Sequence, residues 1–213
     1  KQVDRECKDA ERPPPKSDKI TSEITKFKGS NFMEQYYLER NTQSDGGDND
    51  RNKDETVVML TDERTAYITH DHGKKWKKAV DDEIVRIYPH QYETNNVYFL
   101  TASKKVYYSE DRGLHDSIHS FEAPVMPNTE MLPIMQFHPK RKGWIIWLGG
   151  KNCEKLGNKD CHTVAYVSQK NGEDQSWESL VPYVKKCAFV WREAGRSVKE
   201  EQVFCEQHTN EET

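Results

Sequence analysis

Short runs rich in Val, Ile, Tyr and Trp recur along the chain at 56–60, 65–69, 76–80, 84–88, 96–100, 105–109, 132–137, 144–148, 163–168 and 177–181. Gly, Asn, Asp and Pro punctuate them every eight to twelve residues or so, the rhythm of an all-β sandwich, barrel or propeller. Helical periodicity is scarce, and the one local candidate, Leu114 to His119, is too short to carry a helix. The flanks read differently. Residues 1–18 are charged and hold Pro13-Pro14-Pro15, a stiff extended connector, so they read as a linker or the tail of a preceding module. Residues 41–55 (NTQSDGGDNDRNKDE) are too polar to bury a core and predict an exposed loop. Residues 207–213 predict a frayed tail, which leaves 19–206 as the β-rich body.

An internal repeat chooses among the β architectures. Ala66-Tyr67-Ile68-Thr69 runs into His70-Asp71-His72-Gly73, with Trp76 seven places after Thr69. Val106-Tyr107-Tyr108-Ser109 runs into Glu110-Asp111-Arg112-Gly113, with Asp116 at the Trp position. Ala165-Tyr166-Val167-Ser168 runs into Gln169-Lys170-Asn171-Gly172, with Trp177 two places late. The separations are 40 and 59 residues, and the longer interval contains Cys153 and Cys161. A 40–50-residue period of short strands predicts propeller blades, each carrying one such turn.

The pattern S/T-x-D-x-G-x-x-W is an Asp box. A tight hairpin leaves backbone N–H groups inside its turn without strand partners. A carboxylate two residues past the strand end can accept them, Gly supplies the positive φ, and the hydroxyl of Thr69, Ser109 or Ser168 adds a further bond. Trp76 and Trp177 are then expected to pack their rings against neighbouring sheet. A carboxylate spent in this way is a staple, so Asp71 and Asp111 are read as structural. His70 and His72 have a metal-like spacing but lie in the turn with no third ligand nearby, His115 and His119 lack a convincing helix to bring them together, and no residue is assigned a metal, cofactor or catalytic role.

Composition narrows the partners. The chain has 32 Lys and Arg against 36 Asp and Glu, a net charge of −4, which makes no electrostatic case for nucleic acid. No run approaches the ~18 apolar residues that span a bilayer. The first residues lack a signal peptide's apolar centre and begin at Lys, so the chain reads as a mature or excised piece. Among five cysteines, seven residues separate Cys153 from Cys161 and seventeen separate Cys187 from Cys205. Both gaps suit disulfides between adjacent strands in an oxidising compartment, with free thiols the alternative, and Cys7 is left over.

The sequence around the boxes resembles the fungal vacuolar protein sorting receptors of the sortilin family. The resemblance rests on Val57 to Trp76, on Phe121-Glu122-Ala123-Pro124 leading to Gln136-Phe137-His138-Pro139 and Trp144 to Gly149, and on Cys153, Cys161 to Tyr166, Tyr183 to Cys187 and Phe204-Cys205. It covers roughly residues 19–206. The resemblance implies type I membrane glycoproteins with a ten-bladed lumenal propeller followed by a cysteine-rich module, two such units standing in tandem. It implies that these receptors carry vacuolar hydrolases such as carboxypeptidase Y from late Golgi to prevacuolar endosome. This chain would supply the first three or four blades of one propeller, the second of the tandem, with Cys7 paired upstream. Ligand release would follow pH, with eight His available to titrate, and no ligand-binding residue transfers to these positions. The rival readings are a sialidase-like glycoside hydrolase, which needs an arginine cluster that Arg64, Arg86, Arg112 and Arg141 would have to build, and a paralogue that no longer sorts.

Overall fold

The computed structural model describes residues 24–27, 31–38, 56–114, 117–128, 133–153, 158–173, 176–190 and 202–208. The connector 1–18 with Cys7, the loop 41–55 and residues 209–213 lie outside the described residues. The described residues form strands and turns, with no α-helix among them.

The first sheet runs in the order β1 (Phe32–Leu38), β2 (Thr56–Thr61), β3 (Ala66–Thr69), β4 (Lys77–Lys78). The second repeats that order with β5 (Ile84–Pro89), β6 (Val97–Thr101), β7 (Lys105–Ser109) and β8 (His119–Glu122). In the third, β9 (Met126–Pro127) and β10 (Met135–Phe137) both pair with β11 (Ile145–Lys151), which is followed by β12 (His162–Ser168) and β13 (Trp177–Pro182). A last pair, β14 (Val184–Phe189) with β15 (Val203–Gln207), begins a fourth. All pairings are antiparallel, and each of the three boxes follows the third strand of its own sheet.

The second strands explain why the sequence shows continuous apolar runs there rather than a half-polar alternation. TVVMLT in β2 and VYFLT in β6 are buried at every position, as are the first five residues of β11. Alternate side chains of such a strand serve opposite neighbours. Val97 and Phe99 pack with Val58, Leu60 and Ile68 of the first sheet, whereas Tyr98 and Leu100 pack with Phe137, Ile145 and Trp147 of the third. In β11, Ile145 and Trp147 face the second sheet while Ile146 and Leu148 face Val184 and Cys187 of β14. Sheets therefore stack face to face in series, the second and third each contributing to two seams.

The first strands tie successive sheets along one edge. Glu34 in β1 receives Arg86 Nη1 at 2.9 Å and the Ile87 amide at 3.0 Å, both from β5. The Tyr88 hydroxyl in turn accepts the Ile134 amide at 3.0 Å, just ahead of β10. At the opposite edge of the first sheet, β4 is only two residues long and both are lysines, Lys77 and Lys78, which blunts that edge against further pairing. Meander sheets stacked face to face, with first strands meeting along one side, form an all-β partial propeller.

Candidate functional site

The box turns, all at one end of their sheets, were singled out from the sequence, and their geometry is shared. Thr69 Oγ1 accepts the Asp71 amide at 3.4 Å and the Gly73 amide at 3.1 Å. Ser109 Oγ accepts those of Asp111 at 3.2 Å and Gly113 at 2.7 Å. Ser168 Oγ accepts those of Lys170 at 3.1 Å and Gly172 at 2.9 Å. The constant hub is thus the hydroxyl, which takes two amides in every box. Asp71 Oδ1 accepts a turn amide as expected, that of Lys75, and also the Thr69 hydroxyl, each at 2.9 Å. The Lys75 amide, helped by Thr69, holds the Asp71 carboxyl below its usual range. Where Lys170 replaces the acid, Ser176 meets Ser168 Oγ at 2.7 Å. Ser117, likewise eight places past its hub, bonds Asp111 and lies 3.2 Å from Ser109 Oγ.

Two neighbouring residues, not glycine alone, occupy the left-handed region in every box: His72-Gly73 (φ 60° and 81°), Arg112-Gly113 (64° and 71°) and Asn171-Gly172 (55° and 78°). Positive φ at both central positions is what a type I′ hairpin turn needs to match strand twist. Register also relocates the aromatic position. Ile68 lies opposite Lys77, so Trp76 falls opposite Thr69, and Trp177 falls opposite Ser168. In the second sheet Tyr108 lies opposite His119, so the equivalent place belongs to Ile118 rather than to Asp116. The second and third hairpins are two residues longer than the first, and the added length is where the two serines sit. Trp177 packs between Phe121 of β8 and Trp147 of β11, at ring distances of 5.9 and 6.3 Å. The half-buried ring of Trp76 meets Phe27 at 5.7 Å.

Because the third box stands without an acid, the hydroxyl should matter more than the carboxylate. Thr69→Val strands two turn amides, and we expect it to cost about 1–3 kcal/mol, against roughly 0.5–1 kcal/mol for Asp71→Asn, which keeps an acceptor. Denaturant midpoints of the two variants give the comparison, and equal losses would return the leading role to the carboxylate.

A second repeated feature at the same end was not read from the sequence. His90 Nδ1 accepts the amides of Tyr92 at 3.1 Å and Glu93 at 2.9 Å. His138 Nδ1 accepts those of Lys140 and Arg141, both at 3.0 Å. Each ring leans on the last residue of the next sheet's first strand: His90 on Phe137 at 4.1 Å, His138 on Phe189 at 4.9 Å. Five residues past each histidine, the carbonyl of Asn95 or Gly143 accepts the amide of Arg112 or Asn171, the left-handed box residue of the same sheet. Turn and box are thereby joined. The available signal was spacing, since both histidines stand seven residues ahead of the first residue of the second strand, Val97 or Ile145. Asn171 reaches further: its Oδ1 receives the buried Tyr98 hydroxyl at 2.6 Å, across the seam to the second sheet. Burial, then the nearby Glu110, raises that Tyr98 phenol above its usual range.

The remaining predicted positions separate. Cys153 and Cys161 are bonded at 2.09 Å beyond β11, and Cys187 and Cys205 at 2.03 Å as directly opposed residues of β14 and β15. The four arginines do not converge: Arg64 sits in the β2–β3 hairpin at the end away from the boxes, Arg86 is held by Glu34, and Arg112 and Arg141 belong to turns of different sheets. Among the described residues no three His, Cys, Asp or Glu side chains gather as a metal group.

Stacked meander sheets with a box turn after each third strand define the class of Asp-box propellers. A family profile described as Sortilin-Vps10 (sortilin, neurotensin receptor 3) matches residues 50–213. The chain is 95% identical over 212 residues to vacuolar protein sorting/targeting protein 10 of Pyrenophora tritici-repentis, covering 100% of this chain and 14% of that relative. It is 79% identical over 213 residues to the protein of that name from Leptosphaeria maculans, again 100% of the chain and 14% of the relative. The Paracoccidioides brasiliensis (strain Pb03) protein of that name is 43% identical over 212 residues, 99% of the chain and 13% of the relative. The chain belongs to the sortilin-Vps10 family and spans about one seventh of the length of these relatives.

Proposed function

We propose that these residues form the opening blades of a lumenal propeller in a type I membrane sorting receptor. It would carry soluble vacuolar hydrolases of the carboxypeptidase Y kind from late Golgi to prevacuolar endosome. The single observation that supports this most is membership of the sortilin-Vps10 family at 43–95% identity across the whole chain. The two disulfides fit an oxidising compartment. In this reading 1–18 is the exit from a preceding cysteine-rich module, with Cys7 paired upstream, 19–206 holds the blades and 207–213 continues the chain.

The receptor works by binding rather than catalysis. Asp71 and Asp111 are engaged by their own turns, and the arginines that a sialidase would need around one carboxylate are dispersed. Recognition is of protein cargo, with no nucleic acid involved. Immobilised intact receptor should retain the carboxypeptidase Y precursor from solution, and failure to retain it would withdraw the sorting assignment. Turnover of a fluorogenic sialoside would withdraw the non-catalytic one.

A further inference from the structure

We propose that the His90 turn is an acid-released latch on the seam between the second and third sheets: proton uptake by the ring frees residues 90–96 from Phe137. The geometry carries this. His90 is only 4% exposed, and its Nδ1 already accepts two amides, so that nitrogen cannot hold a proton while the turn is closed. With Nδ1 accepting, the neutral ring carries its proton on Nε2, which is buried without an acceptor, so a second proton can only enter at Nδ1, where it would displace both amides. Asn96 lies opposite His90 on the same face, its carbonyl accepting the His90 amide at 2.9 Å, and is 1% exposed. The charged and titratable groups facing the ring are Lys142, from the His138 turn and 3.5 Å from Glu110, together with Tyr98 and its own turn's Tyr92 and Glu93. A cation there would be repelled by Lys142, and its new Nδ1 proton would face two amide N–H groups. Protonation and closure therefore exclude each other.

Burial, then Lys142, pushes the ring's pKa down to about 4 in the closed turn, against roughly 6.5 for a free imidazole. With the folded value below the unfolded one, closure is fully favoured above the free value. It weakens about tenfold per pH unit below that, and levels off near the folded value. Between neutral pH and pH 5 the open turn gains roughly 30-fold. Opening removes the ring from Phe137 and slackens the link from Asn95 to the second box, so acidification loosens one particular seam and not the sheets themselves. The latch stands independently of the cargo assignment.

Hydrogen exchange on the intact receptor tests it, with rates corrected for intrinsic chemistry. The amides of Tyr92, Glu93 and Asn96 should lose about 30-fold of their protection between pH 7.5 and pH 5. His90→Asn, whose side-chain oxygen accepts the same amides without titrating, should show no such loss. Unchanged protection in the native protein, or the same acid loss in His90→Asn, overturns the latch. Should that variant not fold, a pH series on the native protein decides alone. A histidine latch gives a slope of one decade per unit from about pH 6 that flattens near pH 4, whereas carboxylate-driven opening starts only below about pH 4.5 and keeps steepening.

Discussion

Gly149→Ala is expected to destabilise the protein by about 3 kcal/mol, the upper end for an added methyl in a packed interior. A Cβ at this position would lie 2.4 Å from the Met126 carbonyl oxygen, 2.5 Å from Val125 Cγ2 and 2.9 Å from Trp147 Nε1. The first contact is backbone and belongs to β9, which is itself paired to Gly149 and Gly150. The neighbour cannot swing aside as a flexible side chain would. The glycine is required by close approach rather than by backbone conformation. Denaturant unfolding of the intact protein would measure the cost, and a loss under about 1 kcal/mol would mean that β9 yields easily. Gly150→Ala makes a milder companion, since its nearest obstacle is the Cys153 sulfur at 2.9 Å.

Trp147→Ala works in the opposite sense at the same joint and should cost about 4–5 kcal/mol. The ring is wholly buried between the second and third sheets, and its Nε1 donates to the Val125 carbonyl at 3.1 Å. Truncation empties a large volume lined by Tyr98, Phe137, Phe121 and Trp177, and leaves the Val125 oxygen without its donor. Trp147→Phe should recover roughly half, because it refills most of the space but not the hydrogen bond. If both substitutions cost the same, the hydrogen bond and not the volume dominates. Glycine and tryptophan together fix where Val125 and Met126 cross from the second sheet to the third.

Much of this was legible beforehand, and the reason is physical. Second strands are buried on both faces, so β2, β6 and β11 announce themselves as unbroken apolar runs. The box turns are local, closed by residues within a few places of one another, and so leave a local signature. What escaped depends on partners distant in sequence. β1 was missed because Glu34 and Gln35 interrupt its pattern, yet Glu34 is only 13% exposed once Arg86 and the Ile87 amide meet it. β14 and β15 were seen as cysteine positions but not as strands, their apolar residues being spread among lysines and glutamates. The placement of the box aromatic failed in the second sheet because a hairpin two residues longer moves the opposing position from 116 to 118, which only register reveals. The histidine hubs were invisible for a simpler cause: a single His accepting two amides has no periodicity, and only its recurrence at 138 marks it.

The even and odd residues of β6 and of β11 pack against different neighbours, which restricts how members of this family can diverge. Deleting one residue within β6 would exchange Val97 and Phe99 for Tyr98 and Leu100 at once, presenting each adjoining sheet with shapes cut for the other. Length changes are tolerable only in the connections, and there they occur: the first box hairpin is two residues shorter than its counterparts, and the cystine loop between β11 and β12 falls outside the ladders. Lineages can therefore remodel the rims freely, while the spokes are locked together as one inherited block.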